Sequence, residues 1–271
     1  MDRIIKEALA EDIGAGDITS NLLIRDQKVK AVLLAKDHGV FCGRDIARQI
    51  FNAHKIKYIS IAKDGQKVRR GQVLAKFSGS ARNILKIERT LLNFLQRLSG
   101  IATLTSEFVQ AVKPYEARIL DTRKTLPGLR LLEKHAVVCG GGVNHRVGLY
   151  DMVLVKDNHL KLVDSWELIV DRLKKKPKNI KVEIEADTLV QVKEILKAEM
   201  ADIILLDNMN IVTLKKAIKY IRQASPRTLI EISGGVTLKK VKQYAKLGVD
   251  RISVGTLTHS ARALDISLEI L

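Results

Sequence analysis

The second half of the chain alternates short apolar runs with amphipathic stretches, and this alternation limits the possible folds more than any other feature. Runs of strand length, rich in β-branched residues, recur from about residue 115 and are mostly followed by segments of helical periodicity. Strands that alternate with helices form parallel sheets, and six strands are too few for a complete eightfold barrel, so we expect an incomplete parallel α/β barrel. The predicted strands lie within ARILDT (117–122), DMVLV (151–155), KVEIEA (181–186), DIILLD (202–207), TLIEIS (228–233) and RISVG (251–255).

The first part of the chain has a different pattern. Two strand-like runs, VKAVLLAK (29–36) and IKYISIA (56–62), flank a probable helix through GRDIARQIFNAHK (43–55). The segment DGQKVRRGQVLAKFSG (64–79) has the turn spacing of a small antiparallel sheet. The chain is therefore predicted to be an α/β protein in which an N-terminal α+β sandwich domain, residues 1–114, precedes the barrel, residues 115–257.

A long helix is predicted to connect these two parts. Ser80 is a suitable N-cap, and apolar residues recur after it at helical spacing. We expect Gly100 and Pro114 to mark the passage into the barrel. The apolar stripe consists of Ile84, Ile87, Leu91, Leu95 and Leu98.

Composition restricts the cellular setting. No apolar run among the 271 residues approaches the roughly 20 needed to cross a bilayer, so we expect a cytoplasmic protein without a membrane partner. Cys42 and Cys139 stand in dissimilar contexts without metal-ligand spacing, which predicts neither a disulfide framework nor a thiolate zinc site.

The chain carries a net charge of +17, from 47 Lys+Arg against 30 Asp+Glu, so an anionic partner is expected. Nucleic acid is one candidate, but such proteins usually interleave basic residues with aromatic ones, and aromatic residues make up only 4% of this chain. A small, highly charged substrate fits at least as well. We therefore expect no nucleic-acid partner.

Distinctive polar residues directly follow the predicted strands. In a parallel barrel these strand ends converge on one face, which is where such folds carry out chemistry. Glycines after the last two strands suit phosphate binding, because backbone N–H groups there are accessible. The strand-end residues are Thr122, Arg123, Lys124, Lys156, Glu185, Asp207, Ser233, Gly234, Gly235, Gly255 and Thr256.

The cations and carboxylates among these residues have separate predicted roles. Arg123, Lys124 and Lys156, with His145 and Arg146 from the loop GGGVNHR, would form a convergent anion site. Carboxylates at two strand ends, Glu185 and Asp207, could hold hydrated Mg²⁺ or the hydroxyl groups of a sugar. Glu183 would share the face of Glu185, and one of the two could instead form a structural ion pair. His259 is assigned to the site and His159 is left unassigned.

An ordered set of motifs resembles quinolinate phosphoribosyltransferase along nearly the whole chain. The most specific are DTRKTLPGLR (121–130) and GGGVNHRVGLYDMVLVKDNH (140–159). Further similar segments are EDIGAGDITS (11–20), ERTLLNFLQRLSGIAT (88–103), VEIEA (182–186), LLDNM (205–209), IEISGGV (230–236) and DRISVGTLTHS (250–260).

The resemblance implies Mg²⁺-dependent condensation of quinolinate with phosphoribosyl pyrophosphate, releasing pyrophosphate and carbon dioxide. It also implies that the C-terminal segment 258–271 joins the N-terminal domain. Arg89 would come from a neighbouring subunit, so at least a homodimer is expected, and a hexamer is left open. The implied quinolinate ligands are Arg123, His145, Arg146 and Lys156, with Lys124 shared with pyrophosphate; Glu185 and Asp207 would address ribose and Mg²⁺, and Ser233–Gly235 with Gly255 the 5'-phosphate.

Two alternatives lie on the same scaffold: a nicotinate phosphoribosyltransferase and a phosphoribosyltransferase-like protein linked to molybdenum transport. Neither of these proteins would need two clusters of cations to bind carboxylates. The complete cationic set favours a dicarboxylate substrate.

Overall fold

The structure, a computed structural model, describes residues 1–163 and 165–271. Within these ranges no helix is both long and apolar enough to span a membrane. The helices are α1 (Arg3–Ile13), α2 (Ile18–Leu23), α3 (Arg44–Ala53), α4 (Ala81–Val112), α5 (Arg130–Cys139), α6 (Asp157–Lys161), α7 (Trp166–Lys174), α8 (Leu189–Ala198), α9 (Ile211–Ala224), α10 (Leu238–Ala245) and α11 (Thr256–His259).

The strands confirm the predicted change from an antiparallel to a parallel arrangement along the chain. They are β1 (Lys28–Ala35), β2 (Gly39–Val40), β3 (Lys57–Ile61), β4 (Lys67–Val68), β5 (Val73–Ser80), β6 (Arg118–Leu120), β7 (Val153–Val155), β8 (Val182–Ala186), β9 (Ile203–Asp207), β10 (Leu229–Ser233), β11 (Arg251–Ser253) and β12 (Ile266–Ile270).

The chain divides into two compact units, each of which is discontinuous in sequence. Unit 1 comprises residues 1–106, 125–141 and 257–271, and unit 2 comprises residues 107–124 and 142–256. The domain boundaries expected from the sequence stay a prediction.

Unit 1 contains a four-stranded antiparallel sheet in the order β12-β1-β5-β3 and a two-stranded pair, β2-β4. The last strand of the chain is therefore an edge strand of the N-terminal sheet, with Ala35 paired to Ile266. Phe51 of α3 packs on Phe77 of β5 with ring centroids 4.7 Å apart, and both side chains are buried. Further buried apolar residues of β1 and β5 add to the core of this unit.

Helix α4 begins as predicted but does not break at Gly100. The Ser80 hydroxyl accepts a hydrogen bond from the backbone N–H of Asn83 at 3.2 Å, as an N-cap does. All five residues of the predicted apolar stripe are buried. The helix runs through Gly100, and this position needs glycine because a Cβ there would lie 2.1 Å from the Arg262 carbonyl oxygen.

Unit 2 is the incomplete barrel, a six-stranded parallel sheet in the order β6-β11-β10-β9-β8-β7. All six strands predicted from the sequence are present. The central strands β8, β9 and β10 are buried over nearly their whole length, as expected for strands that carry helices on one side and a packed interior on the other.

The two cysteines, which stand in dissimilar sequence contexts, come together in the fold, and both are free thiols. Helix α5 packs within unit 1 so that the Sγ atoms of Cys42 and Cys139 lie 3.5 Å apart. Residues 97 positions apart in the sequence meet through tertiary packing, which spacing alone does not reveal.

Candidate active site

The carboxyl ends of the unit 2 strands hold the predicted polar residues. Lys156 follows β7 and Glu185 stands near the end of the neighbouring strand β8, where Val155 pairs with Ile184. The Lys156 Nζ atom lies 3.5 Å from Glu185 Oε2, and the backbone N–H of Asp157 donates to Glu185 Oε1 at 3.4 Å. The lysine and the carboxylate therefore lie side by side at this edge of the sheet.

Three carboxylates come together beside this lysine. Glu185, Asp187 and Asp207 each offer an oxygen, and these oxygens lie within 4.8 Å of one another. Burial and the negative charge of Asp207 raise the pKa of Glu185 against the attraction of Lys156. Burial raises the pKa of Asp187 too, together with Asp207 and Asp157. Such a concentration of negative charge suits a bound cation or hydroxyl donors.

The glycine turn after β10 lies beside Asp207. Ser233 pairs with Asp207 across β9 and β10, and the next residue, Gly234, has a φ of +89°. A Cβ at Gly234 would lie 2.2 Å from Asn208 Oδ1, so only glycine fits this approach. Gly255 and Thr256 stand at the corresponding point after β11, where α11 begins. Backbone of this kind can approach a phosphate closely.

The predicted arginines share one electrostatic environment. Arg123 follows β6, and its charge lies close enough to lower the pKa of Arg146, an effect second to burial. The Arg146 side chain is anchored by a hydrogen bond from Nη1 to the Met152 carbonyl oxygen at 3.1 Å. Thr122 Oγ1 accepts from the backbone N–H of Lys124 at 3.1 Å, which fixes the turn between them. Two neighbouring arginines form a natural site for an anion.

His145 lies in a buried ionic cluster in the barrel interior. Its Nε2 atom is 3.0 Å from Glu183 Oε2 and 3.3 Å from Glu231 Oε1. Arg251 Nε lies 3.2 Å from Glu231 Oε2, and Ser253 Oγ donates to Glu231 Oε1 at 2.5 Å. Burial opposes protonation of His145, but the hydrogen bonds to both glutamates outweigh it and raise its pKa to about 9.

This cluster holds the loop that carries Arg146. The buried Asp121 accepts a hydrogen bond from the backbone N–H of His145 at 2.8 Å. The backbone nitrogen of Arg146 lies 2.8 Å from His145 Nδ1, where its N–H can donate only to the neutral form of the ring. A buried, hydrogen-bonded network of this kind restricts a loop to one conformation. The described contacts of His145 therefore give it a clear positioning function for the residue that follows it.

Four buried or clustered acidic residues extend the site beyond those chosen from the sequence. Glu183 and Glu231 are interior positions of VEIEA and TLIEIS, where a buried strand of a parallel sheet would normally carry only apolar residues. A charge inside an otherwise apolar strand was the sequence signal that could have identified both residues. Asp121 and Asp187 directly follow β6 and β8, so they could have been selected with the other polar residues at strand ends. The four residues are Asp121, Glu183, Asp187 and Glu231.

Two predicted site residues belong to unit 1. Arg89 is exposed on α4, and His259 is exposed at the end of α11 with Nδ1 2.6 Å from Ser260 Oγ. His159, which the sequence left unassigned, accepts a hydrogen bond at Nδ1 from the backbone N–H of Lys156 at 2.9 Å. It therefore supports the backbone of a predicted ligand at the start of α6.

The raised pKa of His145 predicts a loss of stability at alkaline pH. A group whose pKa is higher in the folded than in the unfolded chain stabilises fully below its unfolded pKa of about 6.5, and this contribution disappears as pH rises through about 9. The difference between these two pKa values corresponds to a contribution to the free energy of unfolding on the order of 3 kcal/mol. Urea unfolding followed by fluorescence of the single tryptophan, Trp166 in unit 2, should show this decline. The decline should be absent from His145→Gln, and parallel pH curves for the two proteins would contradict the assignment.

Arginines, lysines, carboxylates and a glycine turn at the strand ends of a parallel barrel define an enzyme that acts on small anionic compounds. Comparisons with known proteins define the family. Residues 17–99 match the model described as quinolinate phosphoribosyl transferase, N-terminal domain, and residues 101–269 match the corresponding C-terminal domain. The chain belongs to the quinolinate phosphoribosyl transferase family.

Relatives and solved structures agree with this membership. The chain is 40% identical over 277 residues to the probable nicotinate-nucleotide pyrophosphorylase (carboxylating) of Bacillus subtilis, covering 100% of this chain and 93% of that protein. A crystal structure of nicotinate-nucleotide pyrophosphorylase from Ehrlichia chaffeensis superimposes with a TM-score of 0.94 at 41% identity, covering 99% of this chain and 97% of that one. The corresponding Francisella tularensis structure has a TM-score of 0.92 at 38% identity, covering 99% and 95%.

Proposed function

We propose that this chain transfers the phosphoribosyl group of phosphoribosyl pyrophosphate to quinolinate and removes one carboxylate, forming nicotinic acid mononucleotide, pyrophosphate and carbon dioxide in NAD biosynthesis. A relative from Nicotiana tabacum, 42% identical over 299 residues, is named quinolinate phosphoribosyltransferase (decarboxylating) 2b. The observation that carries the proposal is the proximity of Arg123 and Arg146 in a barrel whose strand ends also hold Lys156 and a carboxylate group. A dicarboxylate needs two cationic partners, and this site offers them.

The proposed roles follow from where charge changes during the reaction. As pyrophosphate leaves the anomeric carbon, positive charge develops on the ribose ring, and Glu185 and Asp207 can stabilise it. Lys124 would stabilise the departing pyrophosphate and one quinolinate carboxylate. Arg123, Arg146 and Lys156 would hold the pyridine ring so that its nitrogen faces the ribose. The turn Ser233–Gly235, with Gly255 and Thr256, would bind the 5'-phosphate through backbone N–H groups.

Decarboxylation should follow ribosyl transfer. Loss of carbon dioxide leaves an electron pair on the adjacent ring carbon, and that carbon then takes up a proton from solvent. A quaternary ring nitrogen stabilises the negative charge before the proton is added. The nitrogen becomes quaternary only when its bond to the ribose has formed. The protein therefore has to orient and neutralise charge, and the electronic driving force comes from the substrate itself.

We predict a strong preference for quinolinate over nicotinate. Nicotinate lacks one carboxylate, so it would leave a desolvated cation in the site without a partner, which costs at least about 30-fold in kcat/KM. Steady-state assays with both acids at fixed phosphoribosyl pyrophosphate measure this ratio. Equal efficiency with the two acids would contradict a dicarboxylate site and favour the nicotinate alternative.

We further propose that Glu185 and Asp207, together with Asp187, hold Mg²⁺. The donor set fits the ion, because all three side chains offer carboxylate oxygens, the ligand type that Mg²⁺ prefers, and these oxygens lie within 4.8 Å of one another. When bound, the ion would supply neutralisation of the diphosphate. The protein groups would set its position relative to the ribose.

Metal dependence tests this second proposal. Activity in excess chelator should fall at least about tenfold and return on addition of Mg²⁺, since the leaving diphosphate would otherwise carry uncompensated charge. Asp207→Asn should raise the Mg²⁺ concentration needed for half-maximal activity. Full activity in chelator without any divalent ion would exclude a metal requirement.

We also propose an oligomeric state and a cellular compartment for this protein. The proposed assembly is a homodimer in which Arg89, exposed on α4, enters the site of the partner subunit, as the resemblance of ERTLLNFLQRLSGIAT to the family implies. Cys42 and Cys139 are free thiols, which fits a reducing compartment such as the cytoplasm.

A further inference from the structure

Four potential metal ligands meet in unit 1, outside the site described above. They come from three separate segments: Cys42 precedes α3, Asp64 lies in the turn between β3 and β4, and His135 and Cys139 lie on α5. One ligand atom from each residue lies within 4.8 Å of the corresponding atom of every other residue. His135 and Cys139 are four residues apart on one helix, so they share a face, as the two histidines of helical zinc motifs do.

The distances fit tetrahedral coordination. A zinc ion with ordinary bond lengths separates two sulfur ligands by about 3.8 Å, sulfur and nitrogen by about 3.6 Å, and nitrogen and oxygen by about 3.3 Å. The Cys42 and Cys139 Sγ atoms are 3.5 Å apart, and Cys139 Sγ is 3.4 Å from His135 Nε2. His135 Nε2 is 3.0 Å from Asp64 Oδ2. These three edges are within a few tenths of an ångström of the values that zinc needs, and the other three ligand pairs lie within 4.8 Å.

The surrounding backbone orients these ligands. Asp64 Oδ1 accepts hydrogen bonds from the N–H groups of Gly43 and Arg44 at 2.8 and 2.9 Å, which leaves Oδ2 directed at His135. The Ser99 hydroxyl accepts from the Cys42 N–H at 3.0 Å and donates to the Cys42 carbonyl oxygen at 3.2 Å. Hydrogen bonds to the outer side of a ligand are typical of protein metal sites.

We propose that Cys42, Cys139, His135 and Asp64 form a structural zinc site. Two thiolates, an imidazole and a carboxylate form a soft donor set that selects zinc over Mg²⁺, which prefers oxygen alone. Binding forms two Zn–S bonds, one Zn–N bond and one Zn–O bond and releases the thiol protons to solvent. Four protein ligands fill the tetrahedron, so the ion ties together three chain segments and leaves no position for a substrate.

The exposure of the ligands shows how an ion could enter. Cys42 is fully buried, whereas the His135 side chain is 54% exposed. One sulfur ligand, that of Cys42, is therefore shielded from solvent, and the imidazole of His135 is accessible to it. A disulfide is the competing use of the two thiols, but it would need neither the imidazole nor the oriented carboxylate.

The test uses the full chain, reduced and stripped of metal, with Co²⁺ as the probe. Co²⁺ bound at this site should give the near-ultraviolet thiolate charge-transfer band and the strong visible bands of tetrahedral cobalt, at one equivalent per chain, and Zn²⁺ should displace it. Cobalt bound only by the carboxylates of unit 2 gives no thiolate band. At 100 times its Kd, Zn²⁺ should raise the thermal unfolding midpoint by about 5 °C.

Variants at His135 and Cys139 avoid disturbing the buried Cys42. Cys139→Ser should weaken metal binding at least about 100-fold and His135→Gln at least about tenfold. At the same Zn²⁺ concentration the thermal shift should therefore nearly disappear in Cys139→Ser and fall to about half or less in His135→Gln. His38→Gln is the matched control, because His38 is an exposed histidine of the same unit outside the cluster. The proposal is overturned if the reduced chain gives no thiolate–cobalt band, or if Cys139→Ser binds zinc as tightly as His38→Gln. It is overturned equally if air oxidation yields a Cys42–Cys139 disulfide while the reduced chain shows no metal binding.

Discussion

Replacing Arg123 with alanine should lower kcat/KM for quinolinate by about 1000-fold, because removing one partner of a charge pair that the bound substrate would shield from water costs about 2–5 kcal/mol. Arg123 follows β6 at the strand-end face and lies close enough to Arg146 for its charge to lower the pKa of that residue. Two arginines whose charges interact favour an anion that can bind both. The bound dicarboxylate would supply that anion, so loss of one arginine removes binding in both the ground and the transition state.

The control for this experiment is Arg227→Ala. Arg227 is exposed before β10, and its removal should leave kcat/KM within about twofold of the unaltered chain and change stability by at most about 0.5 kcal/mol. Arg123→Lys should recover only part of the lost activity, because lysine keeps the charge but not the planar fork. An Arg123→Ala protein as active as the Arg227→Ala control would show that Arg123 does not bind quinolinate.

Arg89→Ala should also be nearly inactive, although the residue is exposed on α4 and belongs to unit 1. An ordinary helix arginine on the surface would change stability by no more than about 0.5 kcal/mol and leave catalysis intact. We expect a loss of activity instead, because the proposed homodimer uses Arg89 to complete the site of its partner.

Complementation distinguishes a shared site from a self-contained one. Mixed dimers of Arg89→Ala and Arg123→Ala subunits contain one site with both original arginines, so random subunit exchange should restore about a quarter of the original activity. Mixtures of either variant with itself should stay inactive. If exchange is demonstrated by mass spectrometry and no activity returns, Arg89 does not act across a dimer interface.

The barrel was predictable because its signals are local. Strand-length apolar runs such as those in β8 and β9 alternate with helical periodicity, and the polar residue that ends each strand can be identified from the sequence alone. In a parallel barrel all those strand ends share one face. Glu185 and Asp207 could therefore be assigned to one site before any distance was known, and the carboxylate group places their oxygens together.

The features that sequence did not reveal depend on tertiary packing. Gly100 looks like a helix breaker, but it stands inside α4 where the backbone of Arg262 needs room. Cys42 and Cys139 become neighbours only when α5 packs within unit 1. The pairing of Glu183 and Glu231 with His145 requires the barrel interior to exist, since their sequence signal is only a charge at an interior strand position.

The most direct test of the central claim follows all products of a single incubation. The chain is supplied with phosphoribosyl pyrophosphate and quinolinate labelled in the carboxylate next to the ring nitrogen, in the presence of Mg²⁺. The account predicts nicotinic acid mononucleotide, pyrophosphate and labelled carbon dioxide in equal amounts, and no labelled carbon dioxide when phosphoribosyl pyrophosphate is omitted, because decarboxylation follows ribosyl transfer. Release of carbon dioxide without phosphoribosyl pyrophosphate, or no mononucleotide from quinolinate under conditions where nicotinate is converted, would contradict it.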